Sequence, residues 1–108
     1  MKTGDIILIP FPFAETVNSK IRPATVVSVT KDKYKDVIVC AISSVVAEKL
    51  SENEILIAPQ SSNKLRAPSV LKVDRIVTLK RKDVVHQLGK LNAAELKNFK
   101  EIFRKLVE

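Results

Sequence analysis

The sequence predicts a mainly β protein with one C-terminal helix, folded as a small antiparallel barrel that the helix closes. Three observations predict this fold class. Short apolar runs rich in valine and isoleucine recur along most of the chain, polar segments separate them, and an apolar pattern of helical spacing occupies only the end. Because no long helical pattern lies between the strands, the chain cannot form the repeated βαβ units of a parallel sheet. We expect a barrel at about residues 3–80 and a helix at about residues 93–107, in a single domain of residues 1–108.

The first half of the chain supplies three predicted strands. "GDIILIPF" (residues 4–11) is a buried strand that ends or reaches a sheet edge at Pro10 and Pro12, because proline cannot donate to a β-ladder. After the polar loop "AETVNSKI" (14–21), "PATVVSVT" (23–30) is a β-branched strand opened by its own proline. The charged turn "KDKYKD" (31–36) leads into "VIVCAISS" (37–44). This last segment is apolar on both faces, so we predict a central strand.

The second half supplies the remaining strands and the helix. "VVAEKL" (45–50) is compatible with one short helical turn, "NEILIA" (53–58) with a strand, and "SVLKVDRIVTL" (69–79) with one or two more. Asn92 is a predicted N-cap, with Glu95 three residues later in the pattern of a capping box. The residues that follow predict an amphipathic helix with a basic outer face. Its apolar residues are Leu96, Phe99, Ile102, Phe103 and Leu106, and its basic residues are Lys97, Lys100, Arg104 and Lys105.

Length, charge and cysteine content limit the class of protein. A chain of 108 residues suits one domain with its own core. The formal net charge of +7 at pH 7 favours a polyanion or an acidic protein as the partner. The N-terminal apolar stretch is too short for a signal-peptide core or a membrane span. The single cysteine, Cys40, cannot form an internal disulfide, which predicts a cytoplasmic protein.

Several kinds of chemical site are disfavoured by composition. One cysteine and one histidine cannot make a cysteine–histidine metal site, so we expect no metal and no cofactor. Gly4 and Gly89 are the only glycines, which excludes a glycine-rich phosphate loop. His86 has no obvious orienting acid beside it, which argues against a serine nucleophile activated by a triad. We expect His86 to be a half-buried surface residue.

Arg22 stands directly before Pro23 at the start of a predicted strand. Proline fixes its own φ and favours an extended conformation in the residue before it, so the guanidinium is presented from a stiff backbone. The planar fork of arginine donors matches phosphate oxygens, whereas an ammonium group does not. The alternative is an arginine that lies over barrel side chains and pairs with a surface carboxylate. Arg22 is therefore a candidate phosphate ligand.

Two hydroxyls, Ser43 and Ser44, end the predicted central strand where the chain leaves the core. One of them can face the same rim of the barrel as Arg22 and donate a hydrogen bond to a phosphate. The alternative is a local role, in which the hydroxyls cap the following turn or bond to nearby backbone.

Five segments, in this order and spacing, resemble the MazF/PemK toxins: "GDIILIPFPF", "KIRPATVVS", "VIVCAISS", "SVLKVDRIVTL" and "LGKLNAAEL". These toxins are the ribosome-independent mRNA interferases of bacterial type II toxin–antitoxin systems, and the resemblance spans nearly the whole chain. It implies an SH3-like barrel of the CcdB/PemK-like toxin fold, working as a homodimer. It also implies metal-independent, sequence-specific cleavage of single-stranded RNA and inhibition by an acidic antitoxin that fills the RNA groove.

The resemblance also implies roles for individual residues. Arg22 occupies the position of the family's catalytic arginine, and Ser43 falls where many members have a catalytic threonine. Ser44 matches the serine that commonly follows, and we expect it to bind substrate. The first loop looks shorter than in several members, so its polar residues are only local candidates for RNA contact. These candidates are Glu15, Asn18, Ser19 and Lys20.

The strand "RIVTLK" departs from the family pattern. Val77 and Lys80 stand where some members have arginine and aspartate, so the acid–base role proposed there has no counterpart in this chain. No residue in the sequence stands out as the acceptor of the 2′-hydroxyl proton. Phe11, Phe13 and Tyr34 are possible stacking platforms for bases, with core packing or a turn position as the alternative for each.

Two other functions stay open at this point. CcdB toxins resemble the same barrel but trap DNA gyrase, and they depend on a tryptophan near the end of the terminal helix. This chain has no tryptophan and ends in "FRKLVE". The second alternative is a non-catalytic barrel that binds nucleic acid through its positive charge alone.

Overall fold

The computed structural model describes residues 1–10 and 20–108. In this part of the chain, six strands form one antiparallel sheet that curls into a half-barrel, in the order β4-β5-β3-β2-β1-β6. One α-helix follows the strands, and a single 3₁₀ turn at Arg81–Asp83 precedes the last strand. The elements are β1 (Asp5–Pro10), β2 (Ile21–Val29), β3 (Val37–Ser43), β4 (Glu54–Ile57), β5 (Ser69–Leu79), β6 (His86–Lys90) and α1 (Ala93–Leu106).

β3 is the centre of the sheet, as its apolar sequence predicts. It pairs with β2 on one side and with β5 on the other. Cys40 and Ile42 point into the core cluster that α1 covers, while Val37, Val39 and Ala41 point into a second cluster on the opposite face. Successive side chains of a strand alternate between faces, so an all-apolar strand requires cover on both sides.

Two local predictions differ from the structure. Residues 45–50 form neither a helix nor a strand, so the predicted helical turn is wrong; six residues supply too few intrahelical hydrogen bonds to offset the cost of nucleation. The sheet also extends beyond residue 80, because β6 pairs with β1. The sequence of β6, "HQLGK", is mostly exposed and has no clear apolar alternation, so pattern analysis misses it. His86 lies on this strand and is exposed rather than half-buried.

The helix α1 begins at the predicted capping box. The Glu95 amide donates to Asn92 Oδ1 at 2.8 Å, and the Asn92 amide donates to Glu95 Oε1 at 2.9 Å. Phe99 is only 1% exposed in the core, and full burial of such a side chain stabilises the fold by about 1.5–3 kcal/mol. No helix in residues 1–10 and 20–108 is long and apolar enough to cross a membrane.

Gly4 fits the N-terminal segment against α1. Its φ is +94°, a left-handed conformation that residues with a side chain rarely adopt. A Cβ atom there would lie 2.7 Å from Leu96 Cδ1. The backbone of Gly4 also forms two hydrogen bonds: its amide donates to Val26 O on β2, and its carbonyl accepts from the Leu91 amide just before α1, each at 2.9 Å. The "Gly-Asp" opening therefore joins the first strand to the helical layer.

Candidate active site

A groove of about 450 Å³ lies at one end of the sheet, where β2 begins and β3 ends. Its residues come from β2, β3, the segment after β3, and the middle of β5. They are Arg22, Ala41, Ile42, Ser43, Val45, Lys72, Asp74, Arg75, Ile76 and Val77. The groove therefore contains three cations, one carboxylate, one hydroxyl and an apolar floor.

The pairing of β2 with β3 explains why Arg22 and Ser43 meet there. Ala24 lies opposite Ala41, and both side chains belong to the same core cluster. Two residues further out on each strand, Arg22 and Ser43 continue that face beyond the core. The two strongest candidates from the sequence thus line one groove.

Arg22 is held by β1 as well as by its own proline. It lies opposite Ile9 in the β1–β2 ladder, and Pro23 lies opposite Leu8. Its side chain is half-buried. Among residues 1–10 and 20–108, no carboxylate lies within ion-pair distance of its guanidinium, so the surface ion pair considered as an alternative is not found there. The guanidinium is left to face the groove.

The structure shows the local backbone contact considered for Ser43 and also places this residue at the groove. Its Oγ accepts a hydrogen bond from the Val45 amide at 3.1 Å, which is the local backbone contact. A hydroxyl can accept and donate at once, so this contact fixes the oxygen while its O–H remains able to donate to a ligand in the groove.

Lys72, Asp74 and Arg75 are groove residues that the sequence analysis missed. Lys72 lies opposite Ala41 on β3, and its Nζ is 3.8 Å from Glu54 Oε2. Asp74 and Arg75 follow it and are exposed. In the sequence, "KVDR" reads as ordinary strand alternation, and nothing local signals that it lines a site.

A three-residue bulge in β5 brings Asp74 and Arg75 to the groove. Ala41 pairs with Lys72 and the adjacent Cys40 pairs with Ile76, so one step along β3 matches four steps along β5. The three residues between these pairs have no partner on β3. Bulges of this kind redirect side chains and often lie beside active sites.

Both backbone groups of Val73, the first residue of the bulge, are hydrogen-bonded. Its amide donates to Asn53 O at 3.0 Å, and its carbonyl accepts from the Cys40 thiol at 3.2 Å. Burial of Cys40 is the larger cause, and the nearby charge of Asp74 the smaller one, of a thiol pKa that is raised to about 12. The thiol therefore keeps its proton and can donate to the bulge at any physiological pH.

The remaining candidates lie away from the groove or outside the described residues. Lys20 and Ser44 are exposed beside the ends of β2 and β3, but neither lines the groove. Glu15, Asn18 and Ser19 lie outside the described residues, as do Phe11 and Phe13.

Tyr34 occupies the turn between β2 and β3, at the end of these strands far from the groove. It is 66% exposed, and Lys33 Nζ lies 5.2 Å from the centre of its ring. This position matches the turn role weighed for it, and it excludes stacking on a base held in the groove.

No cluster of three or more histidine, cysteine, aspartate or glutamate side chains with metal-binding spacing occurs in the described part of the chain. The polar groups at the groove are instead suited to an anion. Three cations and a hydroxyl donor surround a cavity large enough for part of a nucleotide chain, and the fork of an arginine fits two phosphate oxygens at once.

Residues 2–107 match the family model described as "PemK-like, MazF-like toxin of type II toxin-antitoxin system". The chain belongs to this family. It is thus a MazF-like toxin of a toxin–antitoxin system, and the resemblance inferred from its motifs is confirmed. No curated protein sequence matches the chain.

Solved structures of MazF toxins share the fold. Mycobacterium tuberculosis toxin MazF-mt6 superposes with a TM-score of 0.69 at 20% sequence identity, over 95% of both chains. MazF from Deinococcus radiodurans gives a TM-score of 0.72 at 19% identity, over 99% of this chain and 96% of that one. An endoribonuclease in complex with its cognate antitoxin, from a mycobacterial species, gives 0.70 at 12% identity, over 99% and 94%. The predicted antiparallel barrel with a C-terminal helix is confirmed.

Proposed function

We propose that this MazF-like toxin is a sequence-specific, ribosome-independent endoribonuclease that cleaves single-stranded mRNA in the cytoplasm without a metal or a cofactor. The observation that supports this most directly is the meeting of Arg22 and Ser43 in one groove. Both are donors: the backbone of Arg22 is held in the β1–β2 ladder, and the Ser43 hydroxyl accepts from the Val45 amide. Together they suit the non-bridging oxygens of one phosphate.

The reaction is the attack of a ribose 2′-oxygen on the adjacent phosphorus. A new 2′-O–P bond forms and the P–O5′ bond breaks, which leaves a 2′,3′-cyclic phosphate and a free 5′-hydroxyl. Negative charge grows on the non-bridging oxygens as the attacking oxygen approaches. Arg22 and the Ser43 hydroxyl stabilise that charge, and removing one such fixed donor typically costs about 3–4 kcal/mol of transition-state stabilisation.

Arg22 acts through its charge and its geometry rather than as a base. Arginine remains a cation in proteins, so it cannot take up the 2′-proton. Ser43 likewise donates a hydrogen bond to phosphate and does not act as a general base or acid. Arg75 and Lys72 lie on the other wall of the groove, where they can hold flanking phosphates, while the apolar surfaces of Val45 and Ile76 can contact a base.

An acidic antitoxin is the proposed inhibitor, because the protein has a net charge of +7 and cations line the groove. The similar mycobacterial endoribonuclease is in complex with its cognate antitoxin. A homodimer is also proposed, since two copies side by side would join their basic grooves into a longer one. Ile21, Val45 and Ile76, beside or in the groove, are 50%, 77% and 44% exposed and offer apolar surface for such partners.

A cleavage assay with purified protein, single-stranded RNA and excess chelator tests the activity. We expect fragments that carry a cyclic phosphate, and sequencing of their 5′ ends gives the cleavage sequence. An all-DNA strand should stay intact, whereas the same strand with one ribonucleotide at the cut position should be cleaved. Inhibition of supercoiling without RNA fragments would indicate a gyrase poison instead. A mobility shift without fragments would indicate a binding module.

Arg22→Ala tests the site itself. We expect the cleavage rate to fall about 10²–10³-fold while the circular dichroism spectrum stays unchanged. Arg66→Ala is the matched control, because Arg66 is an exposed arginine outside the groove. Full activity of folded Arg22→Ala protein would refute the proposed site.

Ser43→Ala should also cause a large loss of rate, because it removes the hydroxyl donor. Ser44→Ala compares the neighbouring hydroxyl and should cost less of the rate than Ser43→Ala, since Ser44 does not line the groove. The reverse result, an inactive Ser44→Ala and an active Ser43→Ala, would move the hydroxyl role to the neighbouring serine.

A further inference from the structure

A second groove, of about 560 Å³, continues from the groove that contains Arg22 and Ser43 (the active-site groove) toward the opposite end of the sheet. Val77 lines both grooves. The second groove then follows the last residues of β5 and the 3₁₀ turn after it. Its lining residues are Pro10, Val77, Thr78, Leu79, Lys80, Lys82 and Asp83. An RNA strand that leaves the active-site groove along β5 would therefore contact two further lysines.

The second groove ends beside the turn that joins β2 to β3. Val37, the first residue of β3, pairs with Leu79, the last residue of β5, and paired residues of antiparallel strands have Cα atoms about 4.5–5.5 Å apart. The β2–β3 turn (residues 30–36) and the segment after β5 (residues 80–83) are thus neighbours, although they are distant in the sequence. Together they carry six exposed cations, which we call the distal basic patch: Lys31, Lys33, Lys35, Lys80, Arg81 and Lys82.

The cations of the distal basic patch are available to a ligand. None of the six forms an ion pair with a carboxylate in residues 1–10 and 20–108. The same two segments carry three carboxylates, Asp32, Asp36 and Asp83, so an excess of positive charge remains. Lysines and arginines that neutralise phosphates release the counterions around a nucleic acid, which favours binding. The patch therefore suits a polyanion.

The β2–β3 turn also presents an aromatic ring beside these cations. Asp32 Oδ1 accepts hydrogen bonds from the Thr30 hydroxyl at 2.9 Å and from the amides of Tyr34 and Lys35 at 3.1 Å and 3.2 Å, which fix the turn. The Tyr34 side chain is exposed, and the Lys33 ammonium lies over its ring. Exposed aromatic rings among cations are stacking platforms for the bases of single strands. An acidic polypeptide has no bases to stack, so the ring favours nucleic acid as the ligand.

We propose that the distal basic patch is a second binding site for single-stranded RNA, which holds the part of the strand that extends beyond the active-site groove. The inference rests on the proposed ribonuclease function for the identity of the ligand, whereas its test measures binding alone. β3 runs from Val37 beside the patch to Ser43 at the active-site groove, which at about 3.3 Å per residue separates the two sites by about 20 Å. Small barrels that bind single strands cover about 4–16 nucleotides, so one strand can occupy both sites.

A site of this kind gives the protein a preference for long RNA. Once a strand is bound in the active-site groove, its binding at the patch is intramolecular, and the two contacts together hold it more tightly than either alone. A short strand occupies only one site at a time. The wild-type protein should therefore bind long single strands more tightly than short ones of the same central sequence.

The affinity of the protein for two 2′-O-methyl RNA strands of different length tests the proposal. Such strands lack the attacking hydroxyl, so neither can be cleaved and the measurement does not depend on activity. One strand has about 5 nucleotides and the other about 16, the range that one small barrel covers. We expect the wild-type protein to bind the longer strand at least about tenfold more tightly.

The test variant replaces three patch lysines by glutamine, and the matched control replaces three exposed lysines of α1, so the two variants have the same net charge. The test substitutions are Lys33→Gln, Lys80→Gln and Lys82→Gln, and the control substitutions are Lys97→Gln, Lys100→Gln and Lys105→Gln. For the longer strand, we expect the test variant to lose about tenfold in affinity and about 2 in the slope of log affinity against log salt, since each lost phosphate contact lowers the slope by about 0.7. For the shorter strand, the two variants should bind with equal affinity.

Tyr34→Ala tests the stacking contact, with Tyr34→Phe as its control because phenylalanine keeps the ring. We expect Tyr34→Ala to weaken binding of the longer strand about 5–100-fold, and Tyr34→Phe to bind it as the wild-type protein does. This side chain is exposed, so neither substitution opens a cavity in the core. Equal affinities of Tyr34→Ala and the wild-type protein for the longer strand would exclude a base at this ring.

Three results would overturn the proposal. The wild-type protein could bind both strands equally, or the test and control variants could lose the same affinity for the longer strand, which would leave only the effect of net charge. In the third result, the test variant binds poly-glutamate more weakly but the longer strand normally, which would make the patch a contact for an acidic protein. A wild-type protein that cuts no RNA but shows the expected dependence on length and on the patch lysines would refute the proposed activity and support this site.

Discussion

Raising the pH should destabilise the fold through the single buried thiol. Cys40 is fully buried, and that burial, followed by the charge of Asp74, raises its pKa from 9.0 to about 12. A thiol is neutral when protonated, so the folded state favours the protonated form. As the pH rises above about 9, the unfolded chain gains free energy by losing this proton and the folded chain does not. The free energy of unfolding therefore falls by about 1.4 kcal/mol per pH unit, and by about 4 kcal/mol when the pH reaches the folded-state pKa.

Urea unfolding of the wild-type protein and Cys40→Ala, at several values between about pH 7 and about pH 10.5, measures this effect. All other ionisable groups are common to the two proteins, so the difference between the two free energies of unfolding isolates Cys40. We expect a constant difference up to about pH 8 and a decrease of about 2 kcal/mol by about pH 10.5. A difference that stays constant to about pH 10.5 would show that the folded protein accepts the thiolate, and the reasoning would fail.

Three further predictions concern the groove and the scaffold. Arg75→Gln should weaken the salt dependence of binding to a non-cleavable single strand, lowering the slope of log affinity against log salt by about 0.7. An unchanged slope would exclude a phosphate contact. Asn63→Ala should lower the free energy of unfolding by about 3 kcal/mol in urea titration. The side-chain amide of the buried Asn63 donates to Ala58 O at 2.9 Å, and its side-chain carbonyl accepts from the Gln60 and Leu65 amides at 3.0 Å. A decrease of less than about 1 kcal/mol in the free energy of unfolding would mean that water replaces these bonds. Gly4→Ala should lower the thermal midpoint through a backbone cost of about 1–2 kcal/mol at positive φ, and an unchanged midpoint would show that the segment adapts.

The sequence predicts those elements whose own residues carry a periodic signal. β3 is apolar on both faces, and α1 has both a capping box and an apolar stripe, so both are found from the chain alone. β6 is not found from the sequence, because it pairs with β1 through backbone hydrogen bonds and its own side chains are mostly exposed. A strand of that kind is defined by its partner.

The same distinction applies to the site. Arg22 stands before a proline, and Ser43 stands at the end of an apolar strand. Both contexts are visible in the sequence, so sequence analysis finds both residues. Asp74 and Arg75 reach the groove only through a bulge whose existence depends on the register with β3. The register of two strands depends on segments that are far apart in the sequence, so the bulge cannot be predicted from "KVDR" alone.

The three-residue bulge in β5 adds residues to the groove without changing the pairing of the strand on either side of it. Ala41 and Cys40 are neighbours on β3, and their partners are Lys72 and Ile76. Excising residues 73–75 would join those partners directly and leave an uninterrupted ladder with the correct alternation of faces. The shortened chain would lose Asp74 and Arg75 from the groove, together with the buried Val73, and would keep Lys72, Ile76 and Val77 there. Because Arg22 and Ser43 would stay in place, the deletion would measure what the β5 side of the groove adds to them.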